Sequence, residues 1–419
     1  MLDTIGKIWK NKIFVIFAIL IAITLPTTLY KQSDKDKTIV ASSIGIDLKD
    51  DQYDVTILAV IPKGGSDVSS NLETFNATGE SVSDALDKIS LDIGRNIGLA
   101  HCDTIIFNEE LMQTNLTQIL DYFIRTANLS TNPSLVATPD SAKDLLDAVK
   151  SSNNLLDLSV KNIILSQEDR TFLSNITIDR FYRAYFSPNS TFTIPILSVK
   201  KEDSKSSSGG ESGGGSNLPE DDSSGGSSGG GSQEQKKIKN DNNIAILKDG
   251  AIVSHLTEDE KYIYSLLTKP SSYQKFTIKG VNDENFINSD LVFQEADKFI
   301  IPFYKFDNDG KPYVEYNVWL SVMIDEVKSE DNHSYASVAG IRNFLTPTVE
   351  KLFYEQVAEK LESTIKTMQE KKYDVLNLYS KFDAFKYKKF HKYISTLETN
   401  QDYMSEMSIK INLKLNYVI

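Results

Sequence analysis

A long serine- and glycine-rich segment divides the chain and limits the folds open to it. Ser204–Ser232 spans 29 residues, of which 11 are serine and 10 are glycine, and a polar stretch continues it to residue 243. Such a segment has too little apolar surface to offset the conformational entropy lost on ordering. The sequence therefore predicts a disordered linker at residues 201–243. It separates an N-terminal α/β domain at 38–200 from a C-terminal α/β region at 244–419 that could form two subdomains.

An apolar segment precedes both folded parts. Residues 13–30 contain no charged side chain, and three lysines come shortly before them. A helix needs about 20 apolar residues to span a bilayer, so residues 1–30 are expected to form a short membrane helix or a signal segment. The far end of the segment lacks the small-x-small pattern of a cleavage site. This favours an uncleaved anchor from Ile13 to Leu29 over a cleaved signal. The amino group of the chain and the large downstream region favour placing the folded part on the outer face.

The N-terminal part mixes strand and helix patterns. Alternating apolar residues predict a hairpin of strands 38–48 and 53–61. Ser81 followed by Asp84 resembles a capping box and predicts the start of a helix. Further strands are predicted at 103–107, 135–138 and 191–199, and further helices near 116–124 and 141–149. Pro195 within the last of these strands is typical of a sheet edge.

The C-terminal part begins with a second hairpin, 244–256, which turns at Asp249-Gly250. Thr257 and Glu260 then form a capping box at the start of a helix. Long strands at 291–306 and 313–327 follow, joined by the tetrapeptide 307–310. Its acidic residues suggest calcium, but the loop lacks the acidic residues that an EF-hand needs at two further positions, so a hairpin turn is favoured.

The end of the chain is predicted to pack helices on a sheet. Thr346 and Pro347 begin the longest helix, and shorter helices are predicted at 374–385 and 390–397. Strict alternation from Met407 to Ile419 indicates a strand with one buried face, taken as antiparallel. Together these patterns predict an α+β (mixed α/β) fold. In it, the N-terminal membrane helix is followed by two or three α/β domains with mainly antiparallel sheets.

Composition and motifs exclude several classes of function. The chain has 58 acidic and 45 basic residues, a net charge of -13, which argues against nucleic-acid binding. Its one cysteine, Cys102, lies beside His101 and before a buried-strand pattern, so a packed thiol is favoured over a reactive one. The four histidines are not at metal-ligand spacing, and no phosphate-binding, nucleophile or zinc-protease motif occurs. We therefore expect no enzyme activity, no cofactor and no metal site.

A basic and aromatic stretch near the C-terminus is the best functional candidate. Its members are Lys386, Tyr387, Lys388, Lys389, Lys392 and Tyr393. Lysines among aromatic rings can contact anionic lipid headgroups or a membrane partner. The alternative is an ordinary solvated helix face.

Several short stretches match a known family in order and spacing. They are Gly45-Ile46-Asp47 with Tyr53-Asp54-Val55-Thr56, Gly79-Glu80-Ser81-Val82, Arg95 with Leu99-Ala100-His101, Ile105-Ile106-Phe107, Phe123-Ile124-Arg125, Ala245-Ile246-Leu247-Lys248-Asp249-Gly250 with Ile252-Val253, and Lys371-Lys372-Tyr373-Asp374. Through them the chain resembles the C subunit of spore germinant receptors, the Ger(x)C family, over most of its length outside 201–240. The family-motif positions Arg95, His101, Arg125, Gly250 and Asp374 are interpreted as structural.

The resemblance implies a non-catalytic subunit on the outer face of the spore inner membrane. There it would act with a multi-span A subunit and a membrane B subunit that detect nutrients. Members of the family are usually lipoproteins with a cysteine after the apolar signal, and this chain has none there, so a protein anchor would replace the lipid. Binding of the germinant itself stays open. The alternatives are a stand-alone extracytoplasmic ligand-binding protein and, third, an extracellular hydrolase.

Overall fold

The computed structural model of the protein describes residues 38–62, 70–125, 129, 132–151, 160, 175–200, 237–268, 274–282, 286–329 and 346–417. The expected anchor at 13–29 and the serine- and glycine-rich segment lie outside these residues. None of the helices within these ranges is long and apolar enough to cross a membrane.

The described residues form thirteen strands and eight α-helices. The strands are β1 (Thr38–Lys49), β2 (Gln52–Pro62), β3 (Ser70–Gly79), β4 (Asn96–Gly98), β5 (Thr104–Asn108), β6 (Ser134–Thr138), β7 (Thr191–Lys200), β8 (Lys237–Lys248), β9 (Ala251–His255), β10 (Lys275–Val281), β11 (Ser289–Phe306), β12 (Pro312–Ser329) and β13 (Ser408–Tyr417). The helices are α1 (Val82–Ile93), α2 (Thr117–Arg125), α3 (Ala142–Ser151), α4 (Ile178–Tyr185), α5 (Glu258–Thr268), α6 (Pro347–Glu370), α7 (Leu378–Ile394) and α8 (Tyr403–Glu406). Short 3₁₀ turns occur at Leu111–Gln113 and Asn400–Asp402.

The first sheet is mixed, with strand order β3-β2-β1-β5-β6-β7-β8-β9 and β4 beside β1. Its centre is parallel, because β1, β5, β6 and β7 run in one direction. Antiparallel hairpins flank this centre on both sides, as the two predicted hairpins require. The central strands β5 and β6 are apolar and buried on both faces, as is usual for parallel strands between helices.

Strand β7 is not an edge strand, contrary to the expectation drawn from Pro195. It lies between β6 and β8. The pairing of β6 with β7 is limited to Ala137 opposite Ile196, so the missing N–H of Pro195 interrupts little of that ladder.

The predicted helix starts are confirmed by their capping hydrogen bonds. The Asp84 N–H donates to Ser81 Oγ at 3.1 Å at the start of α1. At α5, the Thr257 N–H donates to Glu260 Oε2 at 2.8 Å, and the Glu260 N–H donates back to Thr257 Oγ1 at 3.3 Å. Thr346 caps the long helix α6 in the same way. Each cap satisfies an N–H that the helix itself leaves unpaired.

The second sheet has the order β10-β11-β12-β13 and is also mixed. Its long strands β11 and β12 form the predicted hairpin around the turn at 307–310, where Asp307 Oδ1 accepts from the Asp309 and Lys311 N–H groups. The terminal strand β13 is parallel to β12, so the antiparallel expectation is wrong. Helices α6 and α7 carry the chain back to the starting end of β12 before β13 begins. Alternating apolar residues report a buried face but carry no information on strand direction.

The two sheets share one apolar core. Helices α1, α2 and α4 cover one face of the first sheet. The other face packs on α3, and the same buried cluster continues through α5, α6 and α7 to the second sheet. Residues 237–243, which the sequence assigns to the disordered linker, form the first part of β8, so the linker prediction is wrong for them. The hairpin β8–β9 pairs with β7 and belongs to the first sheet. Residues 201–236 therefore join two neighbouring strands of one sheet.

Candidate functional site

Helix α7 carries the basic and aromatic stretch. The two short helices expected at 374–385 and 390–397 are the halves of this one element. They meet at Lys386, whose φ of -137° and ψ of 29° interrupt the helix. The first half of α7 lies against the second sheet, because the buried Phe382 packs on Tyr304 and Phe306 of β11 with ring centroids 5.3 and 5.8 Å apart.

The lysines of the stretch are exposed, and its two tyrosines differ. Lys386, Lys388, Lys389 and Lys392 are all exposed. Tyr387 is 59% exposed. Tyr393 is only 8% exposed, so it does not belong to the surface that the sequence assigned to it. The reason is helical spacing, since Phe390, Tyr393 and Ile394 share the buried face of α7.

No carboxylate of the described residues neutralises these four lysines. Within the described residues, none of the four forms an ion pair, whereas most other lysines of the C-terminal region do, for example Lys305 with Glu315 at 2.6 Å. The unpaired lysines lie in a chain whose net charge is -13. We call Lys386, Tyr387, Lys388, Lys389 and Lys392 the lysine patch.

An exposed phenylalanine that the sequence reading missed lies next to the patch. Phe385 is 65% exposed and stacks on Tyr304 of β11, with ring centroids 5.6 Å apart. Tyr387 packs on His391, whose Nε2 lies 2.6 Å from Asp383. The signal for Phe385 was present in the sequence, because it directly precedes Lys386. Its exposure depends on the break in the helix, which the sequence pattern does not show.

A buried carboxylate from the first family stretch caps a distant helix. Asp47 ends the motif at 45–47 and is 8% exposed. Its carboxylate accepts from the Ala142 and Lys143 N–H groups, at 2.7 and 3.2 Å, and from the Ser141 hydroxyl at 2.9 Å. Burial raises the pKa of Asp47, and these hydrogen bonds oppose that shift. The motif therefore serves to hold α3 on the sheet.

Asp374 caps the start of α7 in the way that Asp47 caps α3. It is 1% exposed, and its carboxylate accepts from the Leu378 and Tyr379 N–H groups at 2.7 and 2.8 Å. The Tyr403 hydroxyl donates to it as well. Burial raises the pKa of Asp374, and the three hydrogen bonds oppose that shift. Asn189, just before β7, donates to the Asp374 carbonyl at 3.0 Å, so this position also links the two sheets.

The contact between Asn189 and Asp374 marks the junction between the two sheets. Two family stretches that are far apart in sequence also meet there. Lys248 Nζ lies 3.5 Å from the Lys372 carbonyl and 6.0 Å from the centre of the Tyr373 ring. Gly250, two residues further on, has φ 84° and accepts a hydrogen bond from the Leu116 N–H. A Cβ at Gly250 would lie 2.5 Å from Asn115 Oδ1. Lys248 and Gly250 therefore both contribute to packing between distant parts of the chain.

The other motif positions lie on the surface. Arg95 and His101 are exposed. Arg125 is exposed and pairs with Asp121 at 2.7 Å.

The single cysteine is not reactive. Cys102 is fully buried, and burial raises the pKa of its thiol to about 12, so it is a packed thiol and not a nucleophile. None of these side chains combines into a catalytic arrangement.

Two clefts open at the junction and share a wall. One, of about 500 Å³, lies between α4, β7 and the start of α7 and has Arg180 and Arg183 at its edge. The other, of about 580 Å³, lies between α5, β11 and the start of α7 and is lined by Lys298 and Lys381. We call these the arginine cleft and the lysine cleft. No group of three or more histidine, cysteine or acidic side chains in the described part of the chain is arranged to hold a metal ion.

Comparison with known proteins identifies the class. Residues 32–199 match the family described as "Spore germination protein N-terminal domain", and residues 242–417 match "Spore germination B3/ GerAC like, C-terminal". The chain therefore belongs to the GerAC-like family of spore germination proteins, whose members are C-type subunits of germination receptors and are not known as enzymes. The crystal structure of the GerBC protein aligns with a TM-score of 0.45 and 16% identity, over 90% of this chain and 97% of that chain. No curated protein matches the chain.

Proposed function

We propose that the protein is a non-catalytic, membrane-anchored subunit of a nutrient germinant receptor. It acts with an A and a B subunit on the outer face of the spore inner membrane. Residues 13–29 serve as an uncleaved single-pass anchor, because they lack both a cleavage pattern and the lipid-accepting cysteine usual in the family. The folded part docks at the membrane surface through the lysine patch.

The docking proposal rests on the exposure and the free charges of the lysine patch. Four exposed lysines, which form no ion pair with any residue that the structure describes, lie together with exposed aromatic rings in a chain of net charge -13. A lysine close to an anionic membrane surface contributes about 1 kcal/mol. Four such contacts are enough to orient a domain that an anchor already keeps near the membrane.

A stand-alone extracytoplasmic ligand-binding protein is the second candidate function. The observation that favours it is the pair of clefts at the junction. Co-encoded multi-span partner genes, or their absence, separate the two functions without any measurement on this chain.

The docking proposal is tested by replacing Lys386, Lys388, Lys389 and Lys392 with Gln. All four are exposed, so the fold and the melting temperature should not change. Spores carrying the variant should respond more slowly to nutrients, and the variant should co-purify less with the A and B subunits. Binding of the purified chain to vesicles of anionic and of neutral lipid shows whether headgroups or subunits make the contact.

The matched control replaces Lys328, Lys351, Lys366 and Lys410 with Gln. These side chains are 58 to 76% exposed, so the change in net charge is identical but lies outside the patch. The control variant should germinate normally. If the patch variant reaches the membrane and supports germination at the control's rate, the patch is only a solvated helix face. N-terminal sequencing of the membrane-bound chain tests the anchor, and a start beyond Tyr30 would contradict it.

A further inference from the structure

One face of the second sheet is left uncovered by every helix that the structure describes. On the other face, Val318 and Leu320 of β12 are fully buried in the core that α5, α6 and α7 share. The side chains that alternate with them point to the opposite side of the sheet, where none is fully buried. We call this side the open face, and in β12 it consists of Tyr313, Glu315, Asn317, Trp319 and Ser321.

Aromatic rings lie at both ends of the open face. Phe299 of β11 is 62% exposed and lies opposite Trp319, with ring centroids 5.7 Å apart. At the other end, Lys305 Nζ lies 5.4 Å from the centre of the Phe303 ring and 5.8 Å from that of Tyr313. Six residues of β12 separate the two ends, a length of about 20 Å. A solvated sheet face usually carries polar side chains, so exposed rings in this arrangement indicate a binding surface.

Two asparagines hold a free donor and a free acceptor between these rings. Asn317 of β12 lies directly opposite Asn412 of β13. Asn412 Nδ2 donates to Asn317 Oδ1 at 2.8 Å and to Glu315 Oε1 at 2.7 Å. The Asn317 amino group and the Asn412 carbonyl oxygen make no hydrogen bond within the described residues. The bond between the two amides holds these free groups side by side, so a ligand group that both donates and accepts fits them.

The charged side chains of the open face largely neutralise one another. Glu315 lies 2.6 Å from Lys305 Nζ and 4.0 Å from Lys410 Nζ. Lys414 forms no ion pair within the described ranges and lies 5.8 Å from the centre of the Trp319 ring. One such lysine is far short of the clustered Lys and Arg that a phosphate backbone needs. The open face therefore favours an uncharged partner.

A sugar chain has the chemistry that these groups match. A sugar ring presents apolar C–H groups on its faces, which pack on the electron-rich face of an aromatic ring. The hydroxyl groups at its rim both donate and accept hydrogen bonds. Since the aromatic rings lie at two ends of a flat surface about 20 Å long, the surface suits several linked sugar units better than one.

We propose that the open face binds an uncharged linear oligosaccharide. Its sugar rings pack on Trp319 and Phe299 at one end and on Tyr313 at the other. A hydroxyl or acetamido group between them pairs with Asn317 and Asn412. Helix α7 packs on the opposite face of the sheet, so this proposal does not rest on docking through the lysine patch.

The test is calorimetric titration of the purified full chain, in a detergent without a sugar headgroup, with cellohexaose and with chitohexaose. Cellohexaose offers hydroxyl groups, and chitohexaose adds acetamido groups, so the pair separates the two kinds of contact. At least one of them should bind. Trp319→Ala should weaken binding by about tenfold, because it removes a stacking surface. Asn317→Ala should weaken it by about fivefold, the usual effect of losing one hydrogen bond.

The matched control is Phe385→Ala, which removes a ring of similar exposure from α7 and should bind as the wild type does. Trp9→Phe leaves Trp319 as the only tryptophan of the chain, and the sugar should change its fluorescence. If Trp319→Ala does not fold by circular dichroism, Phe299→Ala takes its place, since that ring is 62% exposed.

Four results would each overturn the proposal. They are no binding of either sugar to the wild type, wild-type affinity in the folded ring variant, unchanged Trp319 fluorescence on binding, and binding of oligothymidylate instead of the sugars. The last of these would make the open face a nucleic-acid surface.

Discussion

Replacing Asp374 with Ala should destabilise the C-terminal region more than any other change of a single carboxylate near α7. The wild-type carboxylate is buried and accepts from the Leu378 and Tyr379 N–H groups and the Tyr403 hydroxyl. Each buried donor left without a partner costs about 1–3 kcal/mol. Removal of the carboxylate also removes the cost of burying it, which is what raises its pKa. We therefore expect the loss of unfolding free energy to lie near the lower end of the sum for three donors, at about 3–4 kcal/mol.

The assay is urea unfolding at neutral pH, followed by tryptophan fluorescence. Trp319 lies in β12 of the second sheet and reports on this region. Tyr403→Phe removes one of the three donors and should cost about 1 kcal/mol. Asp383→Ala is the matched control in the same helix. Asp383 is 42% exposed and pairs with His391, so this change should alter stability by less than about 1 kcal/mol. If Asp374→Ala is no less stable than Asp383→Ala, the capping role assigned to Asp374 is wrong.

Two further predictions concern the junction between the sheets. Gly250→Ala should cost about 1–3 kcal/mol in urea unfolding, since it combines a positive φ with a close approach to Asn115. The control Gly310→Ala has a similar φ of 78° but open space around it, so the excess loss at Gly250 over Gly310 measures the contact, and no excess would disprove it. The second prediction concerns Asp402, whose pKa is held below its usual value by the hydrogen bond from Lys372 and by Thr399. Its stabilising effect is present above the unfolded pKa near 3.8 and is lost as the pH falls through the lower folded value. Lys372→Met should therefore flatten the fall in the urea midpoint below about pH 4, and a curve parallel to the wild type's would refute this.

Local features of this protein follow from the sequence because they depend on residues close together in the chain. The hairpin at β1–β2, the capping box of Thr257 and Glu260 and the start of α6 at Thr346 each need partners within a few residues. The family resemblance belongs with these features, since it rests on short stretches read in order. The lysine patch was also visible locally, as charges and rings in one stretch of sequence.

Tertiary structure decides what depends on distant partners. Asp47 caps a helix that begins 95 residues later, and no local pattern indicates such a contact. The direction of β13 and the central place of β7 follow from the path of the chain through intervening helices. Tyr393 is buried and Phe385 exposed because α7 breaks at Lys386 and packs one face on the second sheet. The lysine cleft likewise exists only where α5, β11 and the start of α7 meet, since burial and cavities arise from packing between elements.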